Sequence, residues 1–237
     1  MTVPPLANAG EPPGGGRLAG FKQGLRDGAQ AALEPAAAWL ARLGVRPDHL
    51  TALGLLLSAI AGLAFFDGHS RLAALLLALG GLCDLLDGQV ARLGGGETRF
   101  GALMDSTLDR LGESLVLLGI LGFYLRNLAA LAMDPAQLVT QMAIGLHPGT
   151  WAVVALTAVL ALVGSFMVSY VRARAEGLGL DCRVGWFERP ERLALLIVAG
   201  ALQVFWAMSA ALLLLAILSF ATAYQRVAHV WKLTRPR

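Results

Sequence analysis

Six long apolar stretches, joined by short polar connectors, leave this chain little freedom in what it can fold into. They run from about His49 to Phe66, Leu72 to Ala91, Phe100 to Leu125, Trp151 to Val171, Leu193 to Trp206 and Ser209 to Val230. A helix needs about 20 apolar residues to cross the hydrocarbon core of a bilayer. Only 15% of the 237 residues are charged and 57% are hydrophobic, whereas a soluble domain carries about 25% charged residues. The expected fold is an all-α membrane protein with six transmembrane helices over residues 47–233 and no large soluble domain. Residues 21–46 mix basic and small apolar side chains around Pro35 and predict an amphipathic helix, or two short ones, at the membrane surface. Residues 1–20 are rich in Pro and Gly and lack an apolar core, so a disordered tail is expected and no cleavable signal peptide.

Basic residues set the expected orientation. Lys22, Arg26, Arg42 and Arg46 precede the first stretch, and Arg92 and Arg99 lie between the second and third. Arg172, Arg174, Arg183, Arg189 and Arg192 lie between the fourth and fifth, and Lys232, Arg235 and Arg237 close the chain. The opposite connectors hold Arg71 and Arg126. Both termini are therefore expected in the cytoplasm of a multi-pass plasma-membrane protein. Cys83 and Cys182 are far apart and offer neither a disulfide framework nor zinc spacing.

Four aspartates interrupt the apolar pattern. Asp84 and Asp87 stand near the cytoplasmic end of the second stretch, Asp105 and Asp109 near the cytoplasmic start of the third. Residues three or four apart share a helix face, and the short connector between the stretches packs the two helices antiparallel, so the four carboxylates are expected to converge. Ionised carboxylates at depth cost several kcal/mol each. A pair of hard divalent cations, Mg²⁺ with Mn²⁺ as the alternative, reverses that balance and suits a two-metal site that bridges phosphates. A plainer alternative pairs these aspartates with Arg92, Arg99 and Arg110.

The spacing is more specific than the composition. It reads Asp84-x2-Asp87-Gly88-x2-Ala91-Arg92-x8-Gly101-x3-Asp105-x3-Asp109, and eight fixed letters match by chance at a given start on the order of once in 10⁹. This motif resembles the signature of the CDP-alcohol phosphotransferases, integral membrane enzymes of phospholipid synthesis. The stretches "GVRPDHLTALG", "GGGETRFG", "SYVRARAEGLGL", "FERPERLALL" and "AYQRVAHVW" resemble the phosphatidylinositol phosphate synthase branch of that family, found in actinobacteria and, in related form, in archaea.

The resemblance implies that Asp84, Asp87, Asp105 and Asp109 bind two metal ions and that Asp109 is also the catalytic general base. It implies a CDP-lipid site formed by Asp48, His49, Leu50, Thr51, Gly88, Ala91, Arg92, Thr98 and Gly101. It further implies an acceptor-phosphate site formed by Ser169, Arg172, Arg192 and Arg226. At Arg172 the branch usually has Lys, which keeps the charge and changes the donor geometry. Arg174 and Arg189 are weaker members of the same group, and Glu176, Glu188 and Glu191 are expected to orient the arginines. A homodimer is implied as well, and no nucleic-acid partner.

The expected activity is transfer of the phosphatidyl group of CDP-diacylglycerol, or a similar CDP-lipid, to a hydroxyl of inositol phosphate, with release of CMP. Glycerol 3-phosphate is the alternative acceptor. From other classes, a divalent-cation transporter and a non-catalytic lipid-binding scaffold compete. An ion path has no use for an arginine beside the aspartates, and a scaffold has none for the full acidic set. His49, His69, His147 and His229 show no ligand spacing. The five tryptophans read mostly as interfacial anchors, and Gly80, Gly81, Gly112 and Gly119 as sites of close helix packing.

Overall fold

The computed structural model describes residues 16–94 and 98–235. Eight helices occur among them: α1 (Gly16–Arg42), α2 (Pro47–Phe66), α3 (Ser70–Leu93), α4 (Arg99–Met133), α5 (Pro135–Ala143), α6 (Pro148–Glu176), α7 (Arg189–Leu202) and α8 (Phe205–Thr234). Prolines open several of them. Pro47, Pro135 and Pro148 sit in first turns, where a missing N–H removes no helical hydrogen bond. Asp134 caps α5 by accepting from the backbone N–H groups of Ala136 and Gln137, and the Thr98 side chain caps α4 by accepting from Gly101 N.

Five helices, α2, α3, α4, α6 and α8, are long and apolar enough to cross a membrane. The stretch expected as the fifth full span becomes α7, with 14 residues, about 21 Å against the ~30 Å of a hydrocarbon core. The shortness has a structural cause. Arg189, its first residue, lies against Asp84, and Asp84 is nine residues short of the end of α3 at Leu93. α7 therefore begins within an arginine side chain's reach of Asp84, inside the level of that helix end. The connector expected from Arg126 to Thr150 also differs: α4 continues to Met133 and α5 follows at once.

At the other end, α1 is one helix that runs through Pro35 and begins at Gly16, so residues 16–20 are helical where a tail was expected. Residues 1–15 of that tail lie outside the described residues, as do residues 95–97 of the glycine-rich connector. α1 does more than rest on a surface. Ala37 is fully buried against Leu50 and Val90, and Gln89 Nε2 donates to Gln30 O at 3.0 Å. That packing ties α1 to the same end of α3 that carries the aspartates.

α2 packs between α3 and α4, α6 between α4 and α8, and α7 between α3 and α8. Small residues permit the closest crossings. A Cβ on Gly119 would stand 2.0 Å from Gly62 O, and one on Gly80 would stand 3.3 Å from Gly54 O. Ser58 fills the gap opposite Gly112, and Leu193 lies against Gly81. All four glycines expected at close contacts are found there. In a bilayer such contacts give the van der Waals packing that replaces the hydrophobic effect.

The far end of the bundle closes on rings. Phe205 stacks edge-on to Trp151 at 4.9 Å and to Tyr124 at 5.6 Å. Trp151 is thus a core residue at 5% exposure, while Trp39, Trp186, Trp206 and Trp231 are exposed. The interfacial reading therefore does not extend to Trp151, because its ring completes this cluster.

Gly119→Ala is expected to lower the melting temperature in detergent by several degrees, since overpacking costs about 1–3 kcal/mol. Gly149→Ala, with open space around its Cβ, serves as control. Equal melting of the two variants would show that α2 and α4 do not touch at Gly62.

Candidate functional site

The antiparallel pair α3 and α4 brings the acidic residues together as their spacing requires. Carboxylate oxygens of Asp84, Asp105 and Asp109 lie within 4.8 Å of one another. Asp87, one turn from Asp84, is outside that trio. It is buried, and its Oδ2 accepts from Thr51 Oγ1 of α2 at 2.8 Å. A small cavity of about 20 Å³ has Thr51, Asp84, Asp87 and Asp109 in its wall, room for about one water. The four side chains thus converge, three as a ligand cluster and the fourth held one step aside by a threonine.

The counter-charge comes from α7. Arg189 Nη1 lies 2.6 Å from Asp84 Oδ2 and 2.8 Å from Asp109 Oδ2. The local sequence explains why α7 starts here. In "FERPER", Glu188 is the N-cap, Pro190 sits in the first turn, and Glu191 returns its carboxylate to Glu188 N at 2.9 Å, which completes a capping box. Arg189 and Arg192 then leave α7 three residues apart on one face. Glu191, expected to orient an arginine, also caps the helix. The arrangement fits a divalent cation on its own terms. Three carboxylates share one space that already holds a cationic nitrogen, and Asp105 Oδ1 is buried without a hydrogen-bond partner among the described residues.

Two larger cavities meet at this cluster. One, of about 480 Å³, is lined by Asp48, Thr51, Gly88, Ala91, Thr98 and Gly101, six of the nine residues expected at a CDP-lipid. Leu50 is instead packed against Ala37 and Val90. Arg92 is exposed and its guanidinium lies over Gly88, 3.6 Å from where a Cβ would stand. His49 is exposed near the start of α2. The second cavity, of about 610 Å³, is lined by all four residues expected at the acceptor phosphate, Ser169, Arg172, Arg192 and Arg226, and by Arg189. Asp105 and Ala102 line both cavities, so the acidic cluster forms the wall between them.

The expected phosphate ligands are not free cations. Arg192 is 2% exposed and gives Nε and Nη2 to the two carboxylate oxygens of Glu113 at 2.6 and 2.9 Å. Arg172 pairs with Glu176 one turn on, at 2.8 Å. Arg226, 3% exposed, donates to the carbonyls of Val184 at 2.8 Å and Val168 at 2.7 Å, with Glu188 3.8 Å away. Arg226 therefore pins the segment 177–188 across the ends of α6 and α8, where a phosphate contact alone was expected of it. Gly185 lies in that segment at φ +126°, and a Cβ there would reach Thr222 at 2.6 Å. Cys182 is fully buried in the same segment, and burial pushes its thiol above the ordinary value.

Glu113 was not among the expected residues. Its only signal in sequence is position: it continues the Asp105–Asp109 face by four residues. Arg189 carried a weaker expectation than Arg172 or Arg192, yet it touches the acidic cluster directly.

Against known proteins, a family model described as CDP-alcohol phosphatidyltransferase matches residues 45–224. An archaetidylinositol phosphate synthase of Methanothermobacter thermautotrophicus is 37% identical over 195 residues, 81% of this chain and 86% of that protein. A phosphatidylinositol phosphate synthase of Mycobacterium tuberculosis is 35% identical over 207 residues, 83% of this chain and 84% of that protein. Among solved structures, the M. tuberculosis phosphatidylinositol phosphate synthase with CDP-DAG bound aligns with a TM-score of 0.69 at 32% identity. That alignment covers 86% of this chain and 98% of the other. The same enzyme in complex with manganese and citrate aligns with a TM-score of 0.68, covering 86% and 92%.

In a Cys83→Ser background, Cys182 is expected to resist maleimide in the folded protein. Adding Arg226→Ala should release the 177–188 segment and speed labelling at least about tenfold, because access to a buried thiolate limits the reaction. Unchanged labelling would show that Arg226 does not hold the segment.

Proposed function

The chain belongs to the CDP-alcohol phosphatidyltransferase family, and from that premise we propose that it transfers the phosphatidyl group of a CDP-lipid to a hydroxyl of inositol phosphate, releasing CMP. The observation that carries this reading is the shared wall: Asp105 borders both the cavity expected for the CDP-lipid and the cavity expected for the acceptor. Relatives named for archaetidylinositol phosphate and phosphatidylinositol phosphate support the acceptor, which these two products share. The CDP-DAG of the aligned structure supports the donor.

In this reading the diphosphate lies over α3 and α4. Gly88 presents no side chain to it, which lets the nucleotide approach the backbone, and Arg92 lies over that glycine as a phosphate clamp. Asp84, Asp105 and Asp109, with Asp87 beside them, would hold divalent ions, two Mg²⁺ or Mn²⁺, whose chemistry is to neutralise the diphosphate and the charge that develops on it. The manganese of the aligned enzyme supports that assignment. Arg192, fixed by Glu113, and Arg172, nearer the rim, orient the acceptor phosphate from the larger cavity, with Ser169 beside them. Asp109 reaches toward that cavity and accepts the proton of the acceptor hydroxyl. The oxygen then bonds to the phosphorus carrying the lipid, and the bond to CMP breaks. The basic residues at this end of the bundle support a cytoplasmic site, with both termini on that side. The functional unit is a homodimer, on the strength of the family resemblance.

The test incubates purified protein with CDP-diacylglycerol or its archaeal ether-lipid counterpart and measures CMP. Inositol phosphate should support release, and glycerol 3-phosphate should not. Chelation should abolish release and Mg²⁺ or Mn²⁺ restore it. Asp109→Asn should cut the rate by about 10³-fold, in the range of a lost general base, in protein that still folds. Release with glycerol 3-phosphate alone would overturn the acceptor. Manganese flux without CMP in proteoliposomes would overturn the activity.

A further inference from the structure

Arg189 occupies the space between two carboxylates of the proposed metal site. Its Nη1 touches both Asp84 and Asp109, within 2.8 Å, and these two belong to the trio whose oxygens lie within 4.8 Å of one another. A guanidinium nitrogen and a divalent ion cannot share such a space, since both need the same lone pairs and both are positive.

Charge in the larger cavity sharpens the point. Its lining carries six carboxylates, those of Asp84, Asp105, Asp109, Glu113, Glu176 and Glu188, and five guanidiniums. With all groups ionised the cavity is net anionic by one. Arg192, Arg172 and Arg226 are each engaged by Glu113, by Glu176, and by two backbone carbonyls. A phosphate dianion entering this cavity meets only cations that already have partners, Arg110 through Ser106 O among them, and the least committed nitrogen of these three is Nη1 of Arg192. One divalent ion on the aspartates turns the balance to net positive by one, and it sets free the guanidinium that already lines the same cavity.

We propose that Arg189 is an exchangeable counter-ion: it holds Asp84 and Asp109 together before metal binds, is displaced by the metal, and then serves the acceptor phosphate. Metal loading is thereby made a precondition for acceptor binding. The assignment of metal and acceptor rests on the function proposed above; the exchange itself concerns Arg189 and the aspartates alone. The capping box at Glu188 and Glu191 fixes the backbone of α7, so only the side chain of Arg189 has to turn. Arg189 acts in this scheme by charge alone, first on the carboxylates and then on the acceptor phosphate, and it moves no proton.

The test uses purified full-length protein with Mn²⁺ as the probe, read by calorimetry and by melting temperature, without CDP-lipid. Arg189→Gln removes the competing charge. It should bind Mn²⁺ at least about tenfold more tightly than wild type. It should also melt lower without metal and show a larger rise on adding Mn²⁺. Arg189→Lys keeps the charge and should fall between the two. Should Arg189→Gln fail to fold without metal, purification in Mn²⁺ followed by chelation gives the same comparison through loss of the folded state. In a second arm, wild type should bind inositol phosphate with Mn²⁺ and not without it, and Arg189→Gln should bind it more weakly in Mn²⁺. Equal Mn²⁺ affinity and equal metal-free melting in wild type and Arg189→Gln would overturn the exchange, even if CMP release proceeds normally. An enzyme that releases no CMP but shows the Mn²⁺ shift would sink the function and leave the exchange standing.

Discussion

The contact of Arg189 with Asp84 and Asp109 is the constraint around which the rest of this fold is arranged. Carboxylates placed inside a bilayer cost several kcal/mol each when unmatched, and a like-charged cluster is worse. The sequence puts four of them on two neighbouring helices. A third helix must then deliver a cation to their depth, and α7 does so by starting there. Its capping box holds that start in place, and the segment 177–188 leads into it from the end of α6. Where α7 begins fixes where Arg192 lies, and with it Glu113. The same choice leaves the larger cavity open above the aspartates.

Carboxylates on separate helices come within ligand distance only if the helices themselves come close. Here α2 takes part although it carries none of the cluster. It crosses α4 at Gly62 and Gly119, and α3 at Gly54 and Gly80, so near that a methyl group on Gly119 would meet a carbonyl. At the end of α2, Thr51 reaches Asp87. The backbone approach at mid-membrane and the threonine–aspartate hydrogen bond at the site belong to the same rigid packing. The cavity of about 480 Å³ is lined by the ends of these three helices, so its shape depends on the glycines at which they cross.

Much of this was legible in the residues. Apolar length gave five of the spans, and the three- and four-residue spacing of the aspartates gave the convergence, because a helix repeats its face on that period. Other features depend on contacts between distant segments. Glu113 carries no motif, and what makes it part of the site is Arg192, 79 residues away. Arg226 reads as a loose cation at a helix end, whereas two backbone carbonyls claim it. Trp151 has the sequence context of an interfacial anchor and is instead enclosed by Phe123, Tyr124 and Phe205. The depth at which α7 begins is invisible to hydropathy, which measures apolar length and not the level at which a helix enters. In each case a tertiary partner overrides what the local pattern suggests.

The pairing of the arginines bears on how such a cavity selects its ligand. A count of positive side chains suggests a strong, unspecific anion trap, and the structure argues otherwise. Arg192 and Glu113 are buried together, so a phosphate that took Glu113's place would leave a buried carboxylate unpaired, which is costly. Two of the three guanidinium nitrogens of Arg192 are thereby spent, and Nη1, whose contact with Phe187 O is long at 3.5 Å, is left to meet a ligand in one direction. Arg172 is different. It is more than a third exposed, and its pair with Glu176 is an i,i+4 contact of the kind worth about 0.3–0.5 kcal/mol, which a phosphate can displace at little cost. One cation is thus fixed at the base and another is adaptable at the rim. A ligand held by both must place its phosphate where their directions cross, and under the proposed function the discrimination among phosphorylated alcohols rests on where the hydroxyl falls relative to Asp109.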